Sequence, residues 1–209
     1  LGTVNRLLPK HSDLSAEEKL DLQAKQGRNI YAVEMMIKDD DGNKMPHDGR
    51  SFGHLMVRGP WIASSYYKGE GGEILDENGW FDTGDVATLD PDGFMQITDR
   101  SKDVIKSGGE WISSIELENI AVGHSEVIEA CVIGVKHPKW DERPLLLVVL
   151  RPESTIAGTE LLGYFENKVA KWWIPDDVIV VEELPHTATG KLLKSQLRQN
   201  YSNYVLSTT

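Results

Sequence analysis

The most restrictive feature of this sequence is the unbroken apolar run Leu145-Leu-Leu-Val-Val-Leu150. A strand with one wet face alternates apolar and polar residues, whereas a continuous run describes a strand covered on both faces. Val127 to Val135 reads as a second strand beside it. Helical signals flank the pair. Ser113-Ser-Ile-Glu116 is a capping-box pattern opening a helix from about Ser114 to Val122. Thr159 to Trp173 spaces Leu161, Leu162, Phe165, Val169 and Trp172 as one helix face, and Pro175 stops it. A short strand, Val178 to Val181, and a final helix, Leu192 to Tyr201, complete an α+β half in which strands and helices interleave.

The first half follows a different period. Ser15-Ala-Glu-Glu18 is another capping box, predicting a short surface helix that ends near Gly27. Ile30 to Ile37 and Phe52 to Arg58 read as strands, with a turn at Asp41-Gly42. Residues 60–80 are rich in glycine and aromatics and read as a loop or short helix. Asp85 to Leu89 and Phe94 to Thr98 are strands around the turn Asp90-Pro-Asp-Gly93. Residues 30–98 therefore form a β-rich module, and the pattern changes at 100–103. The expected architecture is α+β: a β-rich, distorted barrel-like subdomain, then a small α+β domain joined to it by a hinge.

Charge and cysteine content narrow the function classes. The 209 residues carry 22 Lys and Arg against 33 Asp and Glu, a net charge of −11, which disfavours nucleic acid as a partner. No apolar run reaches the ~18 residues of a transmembrane helix. The single cysteine, Cys131, rules out an intrachain disulfide and a thiolate metal cage, and its apolar neighbours predict a buried, inert thiol. The first residues, Leu1 to Pro9, carry no signal or transit pattern, and the start at Leu1 reads as a cut in something longer.

Three stretches between elements can carry chemistry. In Phe81-Asp-Thr-Gly-Asp85, a carboxylate held after a Thr-Gly turn can accept from two neighbouring hydroxyls, as in a grip on a ribose diol. An ordinary turn aspartate bonding its own backbone fits the same residues. In Asp99-Arg-Ser-Lys-Asp-Val-Ile-Lys-Ser-Gly-Gly-Glu-Trp111, the cations Arg100, Lys102 and Lys106 precede adjacent glycines that allow a ligand close to the backbone. A solvated linker with a flexible turn is the plainer reading. In Pro185-His-Thr-Ala-Thr-Gly-Lys191, a lysine on a tight turn at the mouth of the last helix can meet a phosphate. A P-loop is excluded by spacing. A lysine is poorly placed at the positive end of a helix, which favours a functional reading over a structural one. His186 reads as a turn residue.

In this order, Phe81-Asp-Thr-Gly-Asp85, Asp99-Arg100 with Lys102, Ser107-Gly-Gly-Glu-Trp-Ile-Ser-Ser114 with Glu116-Leu-Glu118, and Pro185-x-x-x-x-Gly-Lys191 resemble the closing motifs of the adenylate-forming superfamily. The Ser-Gly-Gly-Glu-Trp-Ile-Ser-Ser form is most similar to medium- and long-chain fatty-acid CoA ligases, and also to ligases of short thio-substituted acids such as methylmercaptopropionate. The resemblance covers nearly the whole chain. It implies an AMP-forming acid–thiol ligase: a carboxylic acid reacts with ATP to an acyl-adenylate, and coenzyme A then takes the acyl group, releasing AMP.

The resemblance also implies roles. Asp85 would bind the ribose hydroxyls, Arg100 the ribose or phosphate, and Lys191 would stabilise charge during adenylation. Lys102 would be the hinge. Lys106, Ser107, Gly108, Gly109 and Trp111 would line the coenzyme A side. Residues 1–100 would close a large nucleotide- and acid-binding domain, and 103–209 would be the mobile AMP-binding domain. Mg²⁺ is implied by ATP, with its ligands outside this segment. A cytoplasmic setting is expected, and a homodimer stays open. The phosphate-gripping loop, the adenine-contacting segment and the acyl pocket of the family are absent from these residues. The expected partner is therefore the remainder of the same enzyme before Leu1, and the 209 residues alone are expected to be inactive. Loading of a tethered carrier by the same motifs, or a non-catalytic domain that kept the fold, are the competing classes.

Overall fold

Ser15 starts the first helix as its pattern predicts. Its hydroxyl accepts from the Glu18 N–H at 3.2 Å, and the Glu18 carboxylate accepts from the Ser15 N–H at 2.8 Å. The resulting α1 (Ala16–Ala24) buries no residue and lies on the surface. It belongs to the first of two compact units, Leu1–Lys102 and Asp103–Thr209, in a computed structural model that describes residues 2–208.

The first unit is mainly sheet. A two-stranded antiparallel ladder joins β1 (Thr3–Val4) to β2 (Arg28–Asn29). The larger sheet runs in chain order through β3 (Glu34–Lys38), β4 (Gly53–Arg58), β5 (Phe81–Leu89) and β6 (Met95–Arg100), all antiparallel. The strand expected from Ile30 begins only at Glu34. Ala32 takes φ 64° and the Val33 N–H turns back to the Ile30 carbonyl at 3.1 Å. The Asp41-Gly42 turn forms as expected: the Asp39 carboxylate accepts from the backbone N–H groups of Asp41 and Asn43, and Gly42 sits at φ 82°. Ile37, Leu55, Ala87, Leu89 and Met95 form the core of this sheet. Residues 60–80 are loop with one short 3₁₀ turn, and Trp61, Tyr66 and Tyr67 are exposed.

The second unit is built on a long ladder. β9 (Val127–His137) pairs antiparallel with β10 (Asp141–Leu150) along almost its whole length. β11 (Asp177–Val180) lies parallel to β10, and the hairpin of β7 (Ile105–Ser107) and β8 (Glu110–Ile112) joins at its start, where Asp141 pairs with Ser107. Side chains alternate between two cores. Ala130, Val132, Leu146 and Val148 face α2 (Ser114–Val122) and α3 (Gly158–Gly163), whose Leu117, Ala121 and Leu161 fill that side. Cys131, Ile133, Val135, Leu145 and Leu147 face the other, with Leu197 of α4 (Lys194–Asn200) and Leu206. The unbroken apolar run is thus the period-two signature of a strand buried twice.

The long helix expected over 159–173 does not form. Helix ends at Gly163, Asn167 turns the chain at φ 62°, and only Lys171–Trp173 winds again, as a 3₁₀ turn. The apolar spacing is met by a chain that folds back, so that Phe165, Val169 and Trp173 reach the same core as Leu161. Trp173, rather than Trp172, faces inward, and Trp172 is exposed. Among the described residues, no helix is long and apolar enough to cross a membrane.

Cys131 is fully buried, and desolvation, aided by the nearby Glu118 carboxylate, pushes its thiol up to about 12. Below the ordinary thiol value of 9.0 the native and unfolded states both hold the proton, and stability is unaffected. Above it only the native state keeps the proton, so stability falls as pH rises toward 12. Urea unfolding should show a loss of roughly 1 kcal/mol per pH unit above that value, absent in Cys131→Ala. Equal pH slopes for the two proteins would contradict the buried, protonated thiol.

Candidate functional site

Asp85 lies inside β5, not at the start of a strand after a turn, as the sequence suggests. Five residues of β5, 82 to 86, oppose the three from His54 to Met56 of β4, so the chain bulges. The bulge is held by its own side chains. The Asp82 carboxylate accepts from the Gly84 N–H at 2.8 Å, and the Thr83 hydroxyl accepts from the Asp85 N–H at 3.1 Å while donating to the Leu55 carbonyl. Gly84 takes φ 70° to make this possible. Arg100, at the end of β6, is the register partner of Asp85, and its Nε lies 3.1 Å from the Asp85 carboxylate. Burial pushes the Asp85 carboxyl up from the ordinary range, Arg100 opposes this and Asp82 adds to it. The pair combines a half-buried double acceptor with an exposed planar donor, which suits a vicinal diol beside an oxyanion.

Lys102 is the exposed last residue of the first unit. The residues after it build the second candidate feature. Gly108 and Gly109, at φ 60° and 86°, form the two-residue turn between β7 and β8, a conformation that suits glycine. The Gly108 N–H donates to the Trp140 carbonyl at 2.8 Å. The strands on either side replace the charged linker that the sequence also allowed. The Lys106 ammonium stands 5.4 Å from the Trp111 ring centre, so those two side chains share one face of the hairpin. Ser107 is buried. Beside this turn lies a cavity of about 620 Å³, whose lining includes Ser107, Gly108, Trp140, Arg143 and Trp172.

Lys191 is on a closed turn rather than at a helix terminus. The Thr187 N–H donates to the Lys191 carbonyl at 2.8 Å, the Gly190 N–H to Thr187 at 2.9 Å, and the Lys191 N–H to the Thr187 hydroxyl at 3.1 Å. Gly190 sits at φ 78°. The helix starts three residues later, so the helix-dipole argument for Lys191 fails. It is Lys194 that occupies the helix start, neutralised by the Glu118 carboxylate at 2.7 Å and donating to the Ser114 hydroxyl at 2.6 Å. Lys191 is exposed, and its ammonium has no hydrogen-bond or ion-pair partner among the described residues. His186 is engaged with Glu129 at 2.9 Å.

That last contact fixes where the lysine lies. Glu129 pairs with Val149 at one end of the β9–β10 ladder, while Ser107 pairs with Asp141 at the other. Eight residues separate the two positions on β10, about 26 Å at ~3.3 Å per residue. The Lys191 turn and the Gly108–Gly109 turn therefore occupy opposite ends of one sheet. No motif marks Arg143, Trp140, Trp172 and Asp176, which stand around the cavity. Arg143 precedes the apolar run and Trp140 the strand, positions that only the folded hairpin brings to Ser107.

One family model, several curated relatives and several solved structures match the chain. Residues 116–191 match the AMP-binding enzyme C-terminal domain. The chain is 52% identical over 208 residues to a medium-chain-fatty-acid–CoA ligase of Ectopseudomonas oleovorans, covering 100% of this chain and 38% of the relative. It is 56% identical over 203 residues to a 3-methylmercaptopropionyl-CoA ligase of Ruegeria lacuscaerulensis, covering 97% of this chain and 38% of the relative. Among solved structures, the o-succinylbenzoate CoA synthetase of Bacillus subtilis in complex with its acyl-adenylate intermediate superposes with a TM-score of 0.75 at 34% identity, over 88% of this chain and 37% of that one. The chain thus spans little more than a third of the length of the relatives it matches.

A side chain at Gly108 would have to accept a positive φ, and its Cβ would stand 2.9 Å from Cε3 of Trp140. Gly108→Ala should therefore lower stability by about 1–3 kcal/mol and shift the tryptophan emission of the native state. Urea unfolding followed by fluorescence checks both, and an unchanged midpoint would contradict the packing of the turn on Trp140.

Proposed function

We propose, from the premise that this chain belongs to the adenylate-forming superfamily and carries its C-terminal part, that it serves an AMP-forming acyl-CoA synthetase. The acid is a medium- or long-chain fatty acid. A short thio-substituted acid is the second reading, favoured by the 56% identity to the methylmercaptopropionyl-CoA ligase. The first step forms a bond between a carboxylate oxygen and the α-phosphorus of ATP and breaks the bond to the β-phosphate, so that pyrophosphate leaves. In the second, the coenzyme A sulfur, having lost its proton, attacks the acyl carbon. The bond to AMP breaks, and AMP leaves with the electron pair.

The observation that carries the reading is the separation of the two turns along the β9–β10 ladder. The two steps need different groups beside the same acyl carbon: a cation while phosphate charge develops, then an open channel for a thiol. Lys191, exposed and unpaired, suits the first. The Ser107–Gly109 turn, with Lys106 and Trp111 on the hairpin and the cavity alongside, suits the pantetheine arm and the anionic end of coenzyme A. Asp85 and Arg100 would hold the ribose and phosphate of the nucleotide through both steps. Lys102, between the two units, would be the hinge that exchanges the ends of the sheet. The remaining parts of the site, including the phosphate-gripping loop and the acyl pocket, would come from a longer enzyme. Mg²⁺ would accompany ATP. The described residues bring no three His, Cys, Asp or Glu side chains together and do not fit as its ligands, so no step is routed through the ion.

Lys191→Ala in the intact enzyme tests the division of labour. Removing one preorganised charge from a developing oxyanion typically costs ~10²–10³ in rate. Pyrophosphate exchange should fall by that factor, while acyl-CoA formation from supplied acyl-adenylate should stay within about threefold of wild type. Equal loss in both half-reactions would contradict the assignment.

A further inference from the structure

We propose that Arg143 is a positioning residue for the thiol-transfer half-reaction, holding the Ser107–Gly108 turn and the Trp172 segment at a fixed distance across the cavity. This rests on the coenzyme A reading of that turn. The guanidinium is almost fully buried, with its side chain 11% exposed and that of its partner Asp176 7% exposed. Its donors are spread over two separate pieces of chain, Ser107 and the segment from Trp172 to Asp176. Nε and Nη2 both reach one Asp176 carboxylate oxygen, at 2.7 and 2.5 Å. Nη1 donates to the Ser107 hydroxyl at 3.2 Å and to the Trp172 carbonyl at 2.5 Å, and Nη2 to the Ile174 carbonyl at 3.1 Å. Asp176 is further tied to the Thr208 hydroxyl.

Burying an ion pair is a poor way to gain stability, because desolvation offsets the attraction, and packed apolar residues of similar volume often serve as well. What the planar fork supplies here is geometry. A lysine has three donors on one nitrogen and cannot reach a carboxylate, a hydroxyl and two carbonyls in one plane. Arg143 sits on β10 two residues from Asp141, the residue that pairs with Ser107. The same residue therefore ties the turn to the sheet that carries it and to the Trp172–Asp176 segment that faces it. Ser107, Gly108, Arg143 and Trp172 all line the cavity. Loss of the fork frees the turn on one side and the tryptophan segment on the other, while the Lys191 turn at the far end of the ladder is untouched.

The test is Arg143→Lys in the intact enzyme, with the two half-reactions measured separately. The KM for coenzyme A should rise at least tenfold, with kcat falling less than threefold and pyrophosphate exchange staying within twofold of wild type. A merely structural role would lower both half-reactions together, and that outcome, or an unchanged KM for coenzyme A, would overturn the proposal. If Arg143→Lys fails to fold, Asp176→Asn decides: it weakens the anchor of the fork without removing a group assigned to coenzyme A, and a two- to fivefold rise in the KM for coenzyme A is expected, with no rise overturning the proposal. A wild-type enzyme that makes no acyl-CoA at all would instead sink the functional reading beneath it.

Discussion

The second unit depends on the ladder between β9 and β10. Its backbone bonds run from the Val127–Leu150 pair to the His137–Asp141 pair, and both of its faces are sealed by apolar side chains. Such a strand pair is stiff, because a slip of one residue would exchange the two cores. Everything of chemical interest in this unit hangs from its two ends. Glu129 receives His186 and so anchors the turn of Lys191 at one end, while Asp141 and Trp140 receive the Ser107–Gly108 turn at the other.

This stiffness suits a reaction with two incompatible requirements. In the proposed reaction a cation beside the α-phosphate favours adenylate formation but would obstruct the approach of a thiol to the acyl carbon. Placing the two groups at opposite ends of one stiff ladder would let a single rotation exchange them without local rearrangement. The chain is acidic overall, yet Arg100, Lys102 and Lys106 fall within seven residues of sequence.

The sequence made the strands and the chemical turns legible, because each leaves a local mark. Leu145–Leu150 reads as a doubly buried strand; Ser15 with Glu18, and Ser113 before Glu116, read as helix starts; Gly84, Gly108 and Gly190 mark backbone positions with positive φ. Three things were not legible. The bulge that carries Asp85 depends on how β5 registers against β4, which is a nonlocal fact. The helix expected over 159–173 gave way to a folded-back segment, because the shared core constrains which side chains are buried and not the path between them. The Arg143–Asp176 pair joins residues 33 apart that no motif connects. Sequence pattern thus found the groups that would touch ligand and missed those that hold them in place.

The central proposal is that the ends of the β9–β10 ladder exchange places relative to the unit that carries Asp85 and Arg100. Paired spin labels on the intact enzyme measure this directly, one at exposed Gln96 in β6 and one at exposed Thr189 in the Lys191 turn. The account predicts one distance distribution with acid and ATP present and a second, well-separated one with a non-reactive acyl-adenylate analogue and coenzyme A. A single distribution unchanged by ligand would contradict it.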